Sequence, residues 1–355
     1  MGNLGQPKTV LIIGGAGWSN VGDDLIASSL KKWMQTEGCR TQIVGGPRPN
    51  LEGSRHLTMD GSLPSKLRLL WNIARAGYVL IGGGGLLDDR AKLFYRPFTR
   101  AALACRLFRT PYAFAGIGVG PIQLESSKAS YLAAAQGAHR VYVRDQASKD
   151  RLLDCGVSRQ IDIVNDPVLW GVDLQPRAAQ EYDLTVNLRN WHSPRRPVEG
   201  YEGPIDATVV ESVAQMINGC YGPEAKIALV SMSSNPGDDD STLLDQLNSR
   251  LAATVSTFYD CSPSQVEAVI SESKSVLAMR LHACLLGVRN SRQVIGLAYD
   301  PKVAQQGELL GFATISLDAD FEKSGAQKIA AAFKSRSPSR TNYPAPAAPW
   351  SSLGD

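Results

Sequence analysis

At 355 residues the chain is longer than one ordinary hydrophobic core and fits two domains. Hydrophobic residues make up 43% and charged residues 20%, a globular balance that excludes a disordered or fibrous chain. The net charge of +3 suits anionic substrates, and the lack of any block of like charge excludes a nucleic-acid-binding arm.

The opening MGNLGQPKTVLIIGG has one Lys and an apolar run that stops at glycines. It is too short for a signal peptide and reads as a first strand. It also lacks the Ser or Thr of a myristoylation signal. Short apolar runs then alternate with helical patterns. Segments 10–15, 41–46, 78–85, 111–118, 140–144 and 161–165 read as strands, with helices near 23–36, 64–76, 95–108, 126–138 and 146–154. Continuously apolar strands in repeated strand–helix–strand order predict a parallel sheet covered on both faces, a Rossmann-like domain over 1–172. A polar, proline-containing stretch over 173–183 follows, and the pattern restarts. Strands are expected at 183–189, 226–232, 254–259, 276–279, 294–299 and 314–317, with helices near 206–218, 240–252, 263–272, 281–290, 302–310 and 320–334. This is a second Rossmann-like, doubly wound α/β domain over 180–335. The Pro-, Ser- and Ala-rich tail 336–355 reads as flexible.

No apolar stretch approaches the roughly 20 residues that span a bilayer. The expected location is the cytoplasm, with attraction to the inner, anionic membrane face left open. Cys39, Cys105, Cys155, Cys220, Cys261 and Cys284 are dispersed, without C-x-x-C or His at metal-ligand spacing. They read as reduced core thiols, and no metal is expected.

Doubly wound domains hold ligands at the carboxyl ends of their strands, and two facing ones would line a cleft between them with those ends. Functional residues are therefore expected just past strands. The first such turn runs Gly14-Gly15-Ala16-Gly17-Trp18-Ser19-Asn20-Val21-Gly22-Asp23-Asp24. Its glycines let backbone N–H groups approach a ligand at a helix start. Two acids there would repel a pyrophosphate, whereas a carboxylate facing the cleft suits removal of a proton from a sugar hydroxyl; the competing reading is a helix cap. Gly82-Gly83-Gly84-Gly85 and Gly116-Ile117-Gly118-Val119-Gly120 end two further strands, as a binding rim or as tight turns. Arg144 ends the next, placed to grip an oxyanion or to join a surface network with Asp145; Asp166-Pro167 reads as a hinge or turn.

In the second half Arg189 ends a strand, with Trp191 and His192 after it. Arg280-Leu281-His282 brings a cation and an imidazole to a strand-to-helix turn, a setting for phosphate binding and proton transfer. Lys302, in Tyr299-Asp300-Pro301-Lys302-Val303, lies at a helix start where it opposes the dipole, which marks it as a ligand contact.

These motifs together resemble the polysaccharide pyruvyltransferase family, in its bacterial cell-wall branch. The resemblance is carried in order by N-x-G-D-D (20–24), G-G-G-G-L-L-D-D (82–89), G-I-G-V-G-P (116–121), V-R-D-x-x-S (143–148), D-P-V (166–168), R-L-H (280–282) and Y-D-P-K-V (299–303). It implies two Rossmann-like domains in the GT-B manner, with acceptor on the first and donor on the second. It also implies transfer of pyruvate from phosphoenolpyruvate, a co-substrate rather than a cofactor, onto two sugar hydroxyls as a cyclic ketal. By that likeness His282 and Asp24 are the catalytic candidates, and Arg280, Lys302 and Arg144 hold the donor. Asn20, Asp23, Gly83, Gly84, Gly118, Arg189 and His192 form the acceptor side or rim. The implied acceptor is a lipid-linked saccharide. The segment Val230–Asn235, followed by Asp238-Asp239-Asp240, departs from the family's Pro/Gln-bearing pattern. The rival activities are nucleotide-sugar glycosyl transfer on the same architecture and a non-catalytic anion sensor.

Overall fold

The computed structural model describes residues 9–47, 55–90, 95–170, 179–190, 206–236, 238–318, 320–335 and 346. Two compact units divide the chain, the change falling between Gly171 and Val172. The sequence-expected tail 336–355 lies outside the described residues, apart from position 346.

The first unit runs β1 (Thr9–Ile13), α1 (Val21–Thr36), β2 (Arg40–Gly45), β3 (Arg55–Thr58), α2 (Leu63–Arg75), β4 (Tyr78–Leu87), α3 (Arg96–Leu107), β5 (Tyr112–Val119), α4 (Glu125–Gln136), β6 (Arg140–Val143), α5 (Gln146–Asp154) and β7 (Asp162–Ile163). Its seven strands lie in the order β3-β2-β1-β4-β5-β6-β7, and every pair is parallel. β4 and β5 sit in mid-sheet with helices on both faces, which is why their sequences are apolar without alternation. The core beneath them gathers Leu11, Ile13, Ile81, Phe114 and Tyr131.

The second unit runs β8 (Tyr182–Asn187), α6 (Asp206–Cys220), β9 (Lys226–Val230), α7 (Ser241–Asn248), β10 (Thr254–Phe258), α8 (Pro263–Ser271), β11 (Ser273–Ala278), α9 (Leu281–Arg289), β12 (Gln293–Ala298), α10 (Pro301–Leu310), β13 (Ala313–Ser316) and α11 (Phe321–Lys334). Its six strands, all parallel, lie in the order β10-β9-β8-β11-β12-β13. Local chemistry sets the helix ends. Ser262 and Gln265 form a reciprocal capping box at α8, and Gly311, in the left-handed region at φ 77°, terminates α10.

Both sheets reverse their winding once, between β1 and β4 in the first unit and between β8 and β11 in the second. Ligands of such sheets bind outside the carboxyl ends of the strands at that reversal. The fold class read from the sequence therefore holds, as two parallel-sheet α/β domains. One strand was not anticipated. β3 is an edge strand of sequence RHLT with a single buried side chain, so it carries no apolar run. The core-thiol expectation holds for Cys39, Cys105, Cys155 and Cys284, whereas Cys220 is exposed and Cys261 half-buried.

Candidate functional site

The first unit's rim starts in the turn between β1 and α1. Asn20, in extended backbone, caps α1 by accepting from the Gly22 amide at 3.0 Å. This frees the two acids from the capping role considered from sequence. Asp23 lies across the reversal point: a Cβ placed on Gly15 would stand 2.8 Å from its Cγ, and one on Gly84 2.8 Å from its Oδ1. Asp24 turns inward and is buried, its Oδ1 accepting from the Gly17 amide at 2.8 Å. Burial pushes the Asp24 carboxyl up to about 7; the Gly17 hydrogen bond opposes this rise and the charge of Asp23 adds to it.

The glycine run of β4 is built around α1. Gly83 has φ 78°, and a Cβ there would come within 1.7 Å of Ile26 Cγ2. Only a residue without a side chain lets the strand bend this close to the helix. Gly84, at φ 72°, continues the bend beside Asp23. On β5, Gly118 makes room for Arg144, whose Cζ would be 2.8 Å from a Cβ at that position. The buried Arg144 guanidinium places Nε 3.4 Å from Asp145 and Nη1 3.6 Å from Asp166. Asp145 also caps α5 through the Ser148 amide, and Asp166 caps the short 3-10 turn at 167–169. Arg144 thus has carboxylate neighbours inside its own unit, in a buried cluster rather than the surface network considered from sequence.

The second unit's rim is a connected polar network at the carboxyl ends of β8, β9, β11 and β12. Arg280 stands at the N-cap of α9 and is buried. Its Nε and Nη2 bond Asp240, the latter at 2.6 Å, while Nη1 bonds Asp238 Oδ2 at 3.0 Å and Nη2 the Asp238 carbonyl at 2.9 Å. Burial alone would disfavour the charged guanidinium, but Asp240 and Asp238 hold it protonated. Burial pushes the Asp240 carboxyl up, and Arg280 pulls against it. Asp240 also accepts from the Met232 amide at 3.0 Å and from Asn187 Nδ2 at 3.2 Å. Asn187 in turn accepts from the Arg280 amide at 3.0 Å.

Asp238 links this cluster to Arg189, whose Nε donates to Asp238 Oδ1 at 3.0 Å. Arg189 Nη1 donates to the Tyr299 hydroxyl, and its Cζ stands 4.9 Å from the Tyr299 ring centroid. Lys302 Nζ approaches the same ring at 5.6 Å and lies 3.6 Å from Asp300 Oδ2. Asp300 itself caps α10 through the Lys302 amide. Burial would raise the Tyr299 phenol; Arg189 and Lys302 outweigh it, so the group sits below the ordinary tyrosine value. His282 is half-buried in the first turn of α9.

The structure therefore brings Arg189, Arg280 and Lys302 to one rim, chained through Asp238 and Tyr299, with His282 one residue beyond the Arg280 cap's neighbour. Asp24, Asn20, Asp23, Gly83, Gly84, Gly118 and Arg144 belong to the other unit. His192 lies outside the described residues. The sequence reading gave no role to Asn187, Asp238, Asp240 or Tyr299. The run of three acids just past β9 was the available signal, because a carboxylate at a strand's carboxyl end needs a cation. Arg280 is held by Asp238 and Asp240 and has 9% of its side chain exposed, whereas Lys302 has 27% exposed. Helices α9 and α10 both begin at this rim, so the positive ends of their dipoles lie there.

The fold recurs among solved structures. A Staphylococcus aureus MnaA–UDP complex is 13% identical over 95% of this chain and 92% of that one, with a TM-score of 0.59. A glycosyltransferase from Rickettsia africae is 16% identical over 92% and 88%, at 0.56. The UDP-GlcNAc 2-epimerase from Methanocaldococcus jannaschii is 12% identical over 95% and 96%, at 0.55. At these identities the likeness is one of fold, two Rossmann-like domains of the GT-B-like kind. No curated protein matches the sequence significantly. The model of the polysaccharide pyruvyl transferase family matches residues 20–301, taking in the motifs of both rims from Asn20 to Asp300. The chain is a member of the polysaccharide pyruvyl transferase family.

Proposed function

We propose that this pyruvyltransferase uses phosphoenolpyruvate as donor and joins its pyruvyl carbon to two hydroxyls of a lipid-linked saccharide precursor, forming a cyclic ketal. The observation that carries the reading is the convergence of Lys302 and Arg189 on Tyr299, beside the helix starts of α9 and α10. Phosphoenolpyruvate is compact and multiply anionic, and fixed cations with helix N-termini match it. In this reading Lys302 holds the donor and Arg189 assists. Arg280 positions Arg189 through Asp238.

The chemistry balances without a further reactant. The donor's methylene carbon takes a proton, and one sugar hydroxyl attacks C2 and loses its own proton. The C2–O bond to phosphate breaks, phosphate departs with the electron pair, and the second hydroxyl adds to C2 and releases the last proton. His282 is assigned as the acid that protonates the methylene carbon. Asp24, with a carboxyl titrating near 7, is assigned as the base for the acceptor hydroxyl. Arg144 and the rim residues Asn20, Asp23, Gly83, Gly84, Gly118 and His192 are assigned to supporting contacts. No metal enters this scheme.

The test is mass spectrometry of the surface polysaccharide from a strain lacking the gene. Loss of a pyruvate ketal, restored by the wild-type gene and not by His282→Ala, supports the reading. An unchanged ketal content, or a missing sugar in place of a missing ketal, refutes it; the latter would indicate glycosyl transfer.

A further inference from the structure

Helix α2 packs poorly for a helix of a parallel-sheet domain. Of its residues only Ser65 and Ile73 are buried. On the opposite side Leu63, Leu67, Leu70 and Trp71 are 68%, 58%, 37% and 65% exposed. Their spacing of i, i+4, i+7 and i+8 sets them in one stripe. Single exposed apolar residues are common on protein surfaces, but a continuous stripe on one helix is a docking surface.

The charge around the stripe identifies what it docks on. Between Leu63 and Arg75 there is no acidic residue, while Lys66, Arg68 and Arg75 are basic and exposed. The Arg75 guanidinium lies 5.3 Å from the centroid of the Trp71 ring, holding a cation beside the aromatic edge of the stripe. The neighbouring α3, which packs against α2, repeats the pattern. It too lacks acids and carries Arg100 and Arg106 beside exposed Leu103 and Leu107, with exposed Phe108 just beyond its end. Apolar side chains that include Trp, flanked by Lys and Arg, form the face of an interfacial helix. A protein partner of matching shape would have to be both apolar and acidic; an anionic bilayer offers both properties over its whole surface.

We infer that α2, assisted by the adjoining end of α3, is a peripheral membrane-binding face that seats the first unit on anionic phospholipid. The inference stands on exposure and charge alone and does not depend on the donor or the acceptor.

The full-length protein is to be floated with vesicles of phosphatidylcholine alone and of phosphatidylcholine mixed with phosphatidylglycerol. Wild type rises with the anionic vesicles, less so as salt is raised, and stays behind with the neutral ones. The pairs Leu67→Glu with Trp71→Glu and Arg68→Glu with Arg75→Glu each reduce the bound fraction by roughly tenfold. Because these positions are exposed, their circular dichroism and urea midpoints match wild type, which separates lost docking from lost folding. No flotation with anionic vesicles, or equal flotation of the variants, overturns the inference. So does a wild-type dimer in sedimentation that L67E with W71E dissociates, since the face would then belong to a second copy of the chain.

Discussion

Asp24 and Asp240 are both carboxylates buried at the carboxyl rim of a parallel sheet, and they differ in their partners. Asp240 faces a guanidinium; Asp24 has a backbone amide and a second acid nearby. Removing Asp240 leaves Arg280 buried beside Asp238 alone, so Asp240→Asn is expected to destabilise the second unit by roughly 3–5 kcal/mol. Urea unfolding followed by circular dichroism measures it. For Asp24 the sign is opposite. The folded protein keeps its proton up to about pH 7, whereas the carboxyl's ordinary value is 3.8, so ionisation opposes folding as pH rises from 3.8 to 7. The difference corresponds to about 4 kcal/mol. Asp24→Asn, which can still accept from Gly17, is therefore expected to be more stable than wild type at pH 8 and equal to it at pH 4, by urea midpoint. The same substitution removes the proposed base. In wild type, kcat/KM should rise with pH through about 7, and in the variant this limb should be absent.

At the scale of elements, the bend of β4 against α1 depends on a backbone that no side chain could share. Gly83→Ala brings a methyl into Ile26 and strains a positive φ, with an expected loss of about 2–4 kcal/mol in thermal or urea unfolding. The glycine run was visible in the sequence, where it read as a binding rim or a tight turn; its place inside β4, with Gly83 packed on Ile26 of α1, was not. Most strands and helices were legible. Strands buried on both faces read as plain apolar runs, and the helical patterns between them were visible without their caps, which the structure places at Ser262 and Asp300 among others. The edge strand β3 was not legible, because a strand with one buried residue has no periodicity to read. Nor was the Arg280–Asp240 pair. These residues are 40 positions apart and meet only because the order β9-β8-β11 sets their strands on either side of β8. The sequence offered Arg280 and Lys302 alike as cations to hold the donor; the fold places Asp238 and Asp240 on Arg280 and leaves Lys302 the more exposed of the two.

For the molecule as a whole, each unit reverses its sheet once; Asp23 and Asp24 follow β1 and Arg189 and Arg280 follow β8 and β11 at those reversals, whereas Arg144 and Lys302 follow β6 and β12, further along their sheets. The family match crosses the division between the units, so the family's signature draws on both. Among the described residues no helix is long and apolar enough to cross a membrane. The central claim is that the second unit's rim recognises a small polyanion through Lys302. Isothermal titration of phosphoenolpyruvate into wild type and Lys302→Gln tests it most directly, with UDP- and GDP-sugars titrated alongside. The account predicts that phosphoenolpyruvate binds wild type and that Lys302→Gln, folded as wild type is by its unfolding midpoint, binds it at least roughly tenfold more weakly. Equal affinity in the two proteins, or binding of a nucleotide sugar in place of phosphoenolpyruvate, would contradict it.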